Sequence, residues 1–155
     1  MFKNDKVLVE RVRKQSISKL LPLFDAYRVF YGQDSNMSKA EYFLEYNIEQ
    51  NLIVSLLATS IDSGDPIGFC QLFPSFSSVN MCKIYILNDL FVTSAYRRKG
   101  VGSFLIDSAI LFSKQNGVNR LKLETANDNE IGQRFYESCG WKKSNFQPYF
   151  FIEPK

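Results

Sequence analysis

The chain has 155 residues, 45% hydrophobic and 15% aromatic, with 19 basic against 16 acidic side chains and a net charge of +3. That length suits one domain, residues 1–155, able to bury about two-thirds of its unfolded surface. It contains no histidine, which excludes His-based general bases, Ser-His-Asp triads and nearly all zinc hydrolase sites, so no metal site is expected.

Cys70, Cys82 and Cys139 are odd in number and unpatterned. They read as reduced thiols, and a cytoplasmic setting is expected. With no histidine to activate them, their expected role is that of buried small apolar residues. No signal segment is visible, and no apolar run approaches the roughly 18 residues of a membrane span, so no membrane partner is expected. The mild positive charge suits a polyanionic ligand but does not by itself indicate nucleic acid.

Val7 to Val12 alternates partly and predicts a first strand. Ile17 to Tyr31 predicts a helix, capped by Ser16 or Ser18, with Pro22 near its first turn and Gly32 ending it. Asn36 to Asn51 predicts a second helix, with Ser38 and Glu41 spaced as a capping box. Strands are predicted over Leu52–Ser60 and Ile67–Phe73, separated by the turn Asp62–Pro66, and Pro74–Ser78 reads as a loop. Met81 to Val92 is a long strand by its β-branched and aromatic content. Val101 to Gln115 is a helix stopped at Asn116-Gly117. Leu121 to Thr125 is a strand, Glu130 to Ser138 a helix, and Phe146 to Ile152 a last strand. The order β-α-α-β-β-β-α-β-α-β predicts an α+β (mixed α/β) fold with a mixed sheet.

The most informative stretch joins the long strand to the helix after it. Asn88-Asp89-Leu90-Phe91-Val92 is followed by Arg97-Arg98-Lys99-Gly100-Val101-Gly102-Ser103. Two glycines at a helix mouth let a ligand approach the backbone, and the first helical N–H groups favour an anion. Three basic residues stand beside them, so a pyrophosphate is a natural guest. The P-loop pattern is absent because no lysine precedes Ser103. The dinucleotide fingerprint fails because its third glycine position is Leu105.

What remains is Arg-x-x-Gly-x-Gly, Arg97 to Gly102, behind a strand. It resembles the acyl-CoA motif of the GCN5-related N-acetyltransferases (GNAT). A second segment is similar to the family's later motif: Asn129, Gly132, Phe135-Tyr136 and Gly140-Trp141, with Gly132 where the family usually has Ala. The resemblance is specific from about Leu87 to Trp141. It implies a central, mostly antiparallel mixed sheet with helices on both faces. Two neighbouring parallel strands, here Met81–Val92 and Leu121–Thr125, would splay around the cofactor. It also implies direct acetyl transfer from acetyl-CoA to a primary amine.

Roles follow from the same resemblance. Leu90, Phe91 and Val92 would pair with the pantetheine arm, and an N–H at Phe91 or Val92 would stabilise the developing oxyanion. Arg97, Arg98, Lys99, Gly100, Val101, Gly102 and Ser103 would hold the pyrophosphate, and Asn129 would lie against the cofactor. Tyr136 would protonate the leaving thiolate, and Asp89 or Glu124 would take the amine proton. Polyamine-type members carry an acidic pair at this strand, and Asn88 replaces its first acid. The acceptor would meet Tyr27, Arg28, Tyr31, Phe76 and Asp89, with Asp34 and Tyr149 as further lining. The sequence leaves a small cationic amine, an amino acid and a protein amine open. An idle acyl-CoA-binding module and a salt-sensitive nucleic-acid or phosphoprotein domain are the rival classes. A homodimer is expected, pairing through the strand that ends Tyr149–Ile152.

Overall fold

The computed structural model describes residues 1–143. They fall into two compact units, Met1–Glu124 and Thr125–Lys155, the second described as far as Lys143. The predicted last strand, Tyr149 and the dimer-pairing terminus therefore lie outside the described residues.

The first unit is a six-stranded sheet in sequence order: β1 (Phe2–Lys3), β2 (Val7–Arg11), β3 (Val54–Ser60), β4 (Pro66–Ser77), β5 (Cys82–Val92) and β6 (Leu121–Leu123). Neighbours are antiparallel except β5 and β6, which run parallel. Helices α1 (Ile17–Phe30) and α2 (Met37–Glu49) lie between β2 and β3, and α3 (Val101–Gln115) crosses from β5 to β6. On β4, Phe69 packs edge-on against Phe24 of α1, and the next residue, Cys70, reaches Leu105 O of α3. Adjacent strand residues point to opposite faces, so α1 and α3 cover opposite sides of the sheet.

The hydrophobic pattern places these elements correctly, and local details differ for identifiable reasons. Pro22 sits in the second turn of α1, not the first. It deprives the Ser18 carbonyl of its donor, and Ser18 is exposed, so water can replace it. Ser16 precedes α1 without a side-chain cap, its hydroxyl being engaged with the Arg13 backbone. The cap of α2 is Asn36, which accepts from Lys39 N at 3.0 Å; the Ser38–Glu41 box is not formed. Pro74–Ser77 is strand rather than loop, because β4 stays paired with β5 out to Ser77 opposite Cys82. The short edge strand β1 was not predicted. Of the cysteines only Cys70 is buried; Cys82 is exposed.

The α1–α2 connection is tightly built. Gly32 (φ 78°) donates to Val29 O and Gln33 to Arg28 O, a Schellman ending that requires the left-handed residue glycine supplies. Asp25 then gathers the loop: it accepts from Ser35 Oγ (2.6 Å), Asn36 N (2.9 Å) and Arg28 Nη1 (3.2 Å). The Ser35 and Asn36 hydrogen bonds, with Arg28 nearby, hold its carboxyl below the usual range.

Candidate active site

The parallel pairing of β5 with β6 covers only Tyr85–Leu87 against Leu121–Leu123. Beyond Leu87, β5 continues to Val92 with β4 alone beside it. The separation expected for two splayed strands thus begins at Asn88. Thr93 N donates to Ile67 O across the β4 side at 3.0 Å. Counting back by the two-residue period, Phe91 N–H also faces β4, whereas the N–H groups of Leu90 and Val92 face the open side. Of the two oxyanion donors expected, the register therefore favours Val92. The Val92 carbonyl is met by Arg97 Nε at 2.9 Å.

A bulge at this point aims the chemistry. Gln71 pairs with Asp89, but Leu72 pairs with Leu87, so Asn88 is the extra residue on β5. Before the bulge, odd-numbered residues face α3, as Tyr85 does against Phe112. After it they face α1, as Phe91 does against Tyr27. The bulge therefore turns the Asp89 carboxylate toward α1 and α2.

There Asp89 is buried at 7% exposure. Tyr27 OH donates to its Oδ1 at 2.7 Å and Asn88 Nδ2 at 3.2 Å. Burial pushes its pKa above the usual carboxylate value, and the Tyr27 and Asn88 hydrogen bonds oppose that rise. A carboxylate in such a setting is poised to exchange a proton. Asp89 lines a pocket of about 330 Å³ with Tyr27, Arg28, Gln71 and Asn88, walled by Phe24, Phe43 and Phe73. Gln71 is fully buried and donates to Ser55 Oγ at 2.9 Å; its Oε1 has no partner among the described residues.

Tyr27, Arg28 and Asp89 are thus brought together as expected. Tyr31 is 64% exposed and contributes only its ring, edge-on to Tyr27. Phe76 does not belong to this pocket. It lies five residues along β4 from Gln71, about 17 Å at strand rise, and is 78% exposed. Glu124 is exposed, one residue past the last parallel pair, and is not among the residues lining the pocket. Gln71, Asn88 and Lys39 were missed. A lone polar residue inside the apolar run Gly68–Phe73 was the available signal for Gln71; none marked Lys39.

The loop from β5 to α3 is shaped for an anion. Gly100 caps α3 in the left-handed conformation (φ 80°) and offers no side chain to the helix. Arg98 also has positive φ, 57°, so the chain turns tightly above the helix mouth. The amides of Val101 and Gly102 fall in the first turn, ahead of Phe104, whose N–H bonds Gly100 O. Arg98 and Lys99 are exposed there. Arg97 is different: its guanidinium caps Val92 and lies over the rings of Phe30 and Phe91 at 5.5 and 5.9 Å. It fixes the strand end as well as adding charge. An uncapped helix mouth, basic side chains and an open strand edge ahead of it fit a pyrophosphate carrying an extended amide chain.

These features suit an acyl-CoA, and comparison with known proteins shows the family. The acetyltransferase (GNAT) family model matches residues 20–141. The chain belongs to the GNAT acetyltransferases. It is 40% identical over 135 residues to the uncharacterized N-acetyltransferase YhfO of Bacillus subtilis (strain 168), covering 87% of this chain and 89% of that protein. A probable acetyltransferase of Haemophilus influenzae is 34% identical over 117 residues, 75% of this chain and 79% of its own. The crystal structure of a probable acetyltransferase superposes with a TM-score of 0.89 at 32% identity, over 96% of this chain and 99% of that one. The protein is an acetyltransferase with the GNAT fold, and members of this family generally use acetyl-CoA.

The second unit carries the later GNAT motif on α4 (Glu130–Ser138). Asn129, expected against the cofactor, is the helix cap: its Oδ1 accepts from Gly132 N at 3.0 Å and its Nδ2 donates to Thr125 Oγ1 at 2.9 Å. A β-carbon on Gly132 would come within 2.4 Å of Asn129 Nδ2. Glycine in place of the usual alanine thus lets the Asn129 side chain fold over its own helix. Tyr136 is half-buried between the rings of Phe135 and Trp141, centroids 5.4 and 6.4 Å away. Gly140 (φ 83°) ends the helix and returns Trp141 N to Tyr136 O.

Proposed function

We propose that the whole chain acts as one acetyl-CoA-dependent N-acetyltransferase of a small primary amine, with Asp89 as the base. The observation that carries this is the bulge-directed, buried Asp89 carboxylate on the floor of a pocket, beside the open stretch of β5. Acetyl-CoA supplies an activated acyl group as a thioester. The Leu90–Val92 edge aligns its amide arm, the Val92 N–H faces the developing charge on the acyl oxygen, and the α3 mouth with Arg98 and Lys99 takes its phosphates.

An alkyl ammonium has a pKa near 10 and must lose a proton before it can attack. Asp89 accepts that proton. The amine nitrogen then bonds the acyl carbon as the carbon–sulfur bond breaks, Tyr136 gives a proton to the departing thiolate, and the second proton that the nitrogen sheds as the amide forms returns Tyr136 to its phenol through water. The Tyr136 role rests on the motif around it. Glu124 is the weaker candidate base because it is exposed. The absence of an acid at Asn88 argues against a polyamine specialist.

No described helix is long and apolar enough to cross a membrane; a cytoplasmic setting is proposed from the three unpatterned cysteines of the sequence, and a homodimer from resemblance alone. The test is thermal unfolding with acetyl-CoA, then thiol release with an amine panel. Ligand at about 100 times Kd should add about 2.7 kcal/mol, or roughly 5–10 °C for this size. No rise at millimolar acetyl-CoA, with no thiol release, would overturn the proposal.

A further inference from the structure

We infer that the acceptor is an amino acid: a primary amine that also carries a carboxylate, on an apolar or aromatic body. This rests on the acetyltransferase reading of the same pocket and adds what that pocket selects. Its charges are unlike those a polycation would need. Asp89 is the one carboxylate among the residues lining it, whereas two cations, Arg28 and Lys39, line it as well. A second ammonium on the acceptor would meet like charge, an arrangement that disfavours binding. A carboxylate would meet two donors.

Arg28 is built for that contact. It is partly neutralised by Asp25, but both of its hydrogen bonds, to Asp25 and to Asp34 O, run through Nη1. Its Nε and Nη2 have no partner among the described residues. Asp25 and the Schellman turn hold the side chain at 22% exposure, so little ordering is left for binding. The opposite requirement, acceptors for an ammonium, is met on the sheet. Gln71 is the cross-strand partner of Asp89, fully buried, and its Oε1 has no partner among the described residues. A buried acceptor without a donor is unfavourable unless a ligand N–H completes it. Asp89 and Gln71 together can take two of the three protons of an ammonium. Phe24, Phe43 and Phe73 between these poles suit an apolar side chain. The volume, about 330 Å³, is at the small end of ligand pockets, about 300–1,000 Å³.

The test compares amino acids with their decarboxylated counterparts in the acetyl-CoA thiol-release assay. Phenylalanine (both enantiomers), leucine and 6-aminohexanoate are set against phenethylamine, isoamylamine and pentylamine, with putrescine as the polycation. At least one amino acid should exceed its counterpart in kcat/KM by about tenfold or more, the scale of one charge-assisted contact. That ratio should fall by about tenfold in Arg28→Gln and in Lys39→Gln. The second variant guards against loosening of the α1–α2 turn in the first, because the Lys39 side chain is exposed. Calorimetry of the same compounds on the free protein separates the two readings. Amino acids bound without turnover would leave this inference standing and remove the transferase reading. Counterpart amines or putrescine turned over as well as every amino acid would overturn the inference alone. Neither binding nor turnover by any compound would overturn both.

Discussion

Replacing Tyr27 by Phe removes one oxygen and little else. The ring keeps its contacts with Tyr31, Phe69 and Phe91, at 5.0, 5.7 and 6.1 Å. What is lost is the 2.7 Å hydrogen bond to Asp89 Oδ1, one of the two that oppose the effect of burial on this carboxyl. A hydrogen bond to a charged group contributes about 1.5–3 kcal/mol. Losing it disfavours the ionised form, so Asp89 should become harder to deprotonate in Tyr27→Phe. If Asp89 must be ionised to accept the amine proton, the acidic limb of the kcat/KM profile moves to higher pH. On the acidic side of that limb kcat/KM falls by about ten- to a hundredfold, and it recovers as the pH is raised. The assay is thiol release at saturating acetyl-CoA across pH 5–10. An acidic limb that stays in place, or moves to lower pH, would refute the placement of Asp89 as the base.

Three further outcomes follow from the same structure. Asp89→Asn should abolish turnover yet stabilise the fold: a raised carboxyl pKa means that the folded chain loses stability as pH rises from the usual carboxylate value through the raised one, so the gain in Tm should be larger at pH 8 than at pH 4. Tyr136→Phe should lower kcat by about ten- to a thousandfold, the range of general acid catalysis, with acetyl-CoA affinity by calorimetry unchanged. Gly68→Ala should destabilise by about 1–3 kcal/mol, read in urea unfolding, because its β-carbon would stand 2.7 Å from Phe91 O and 3.3 Å from Val92 Cγ2, in the strand pair that forms the open edge.

Much of this enzyme is legible in its sequence, and the limits are physical. Periodicity places α1 to α4 within a residue or two: α1, α2 and α3 each bury an apolar face, and α4 keeps the helical spacing with no residue fully buried. The glycine pair and basic run before α3 announce an anion site, since few other uses explain them together. The bulge at Asn88 is another matter. Nothing in Leu87-Asn88-Asp89-Leu90 signals an extra residue, because a bulge is a property of two paired strands and only one is being read. Without it, period-two alternation would send Asp89 to the α3 face. Hydrogen-bond choices were also hidden. Asn36 rather than Ser38 caps α2, and Asn129 caps α4. Phe76 was assigned to a loop because Pro74 and three serines suggested one, while the partner strand kept the segment extended.

Asp89 is proposed to take the proton from an amine that this protein acetylates. The direct measurement is mass spectrometry of the acceptor panel after incubation with acetyl-CoA, wild type beside Asp89→Asn at equal acetyl-CoA occupancy. An N-acetylated product, with stoichiometric free thiol, is expected from the wild type and not from the variant. Equal product from both would contradict it.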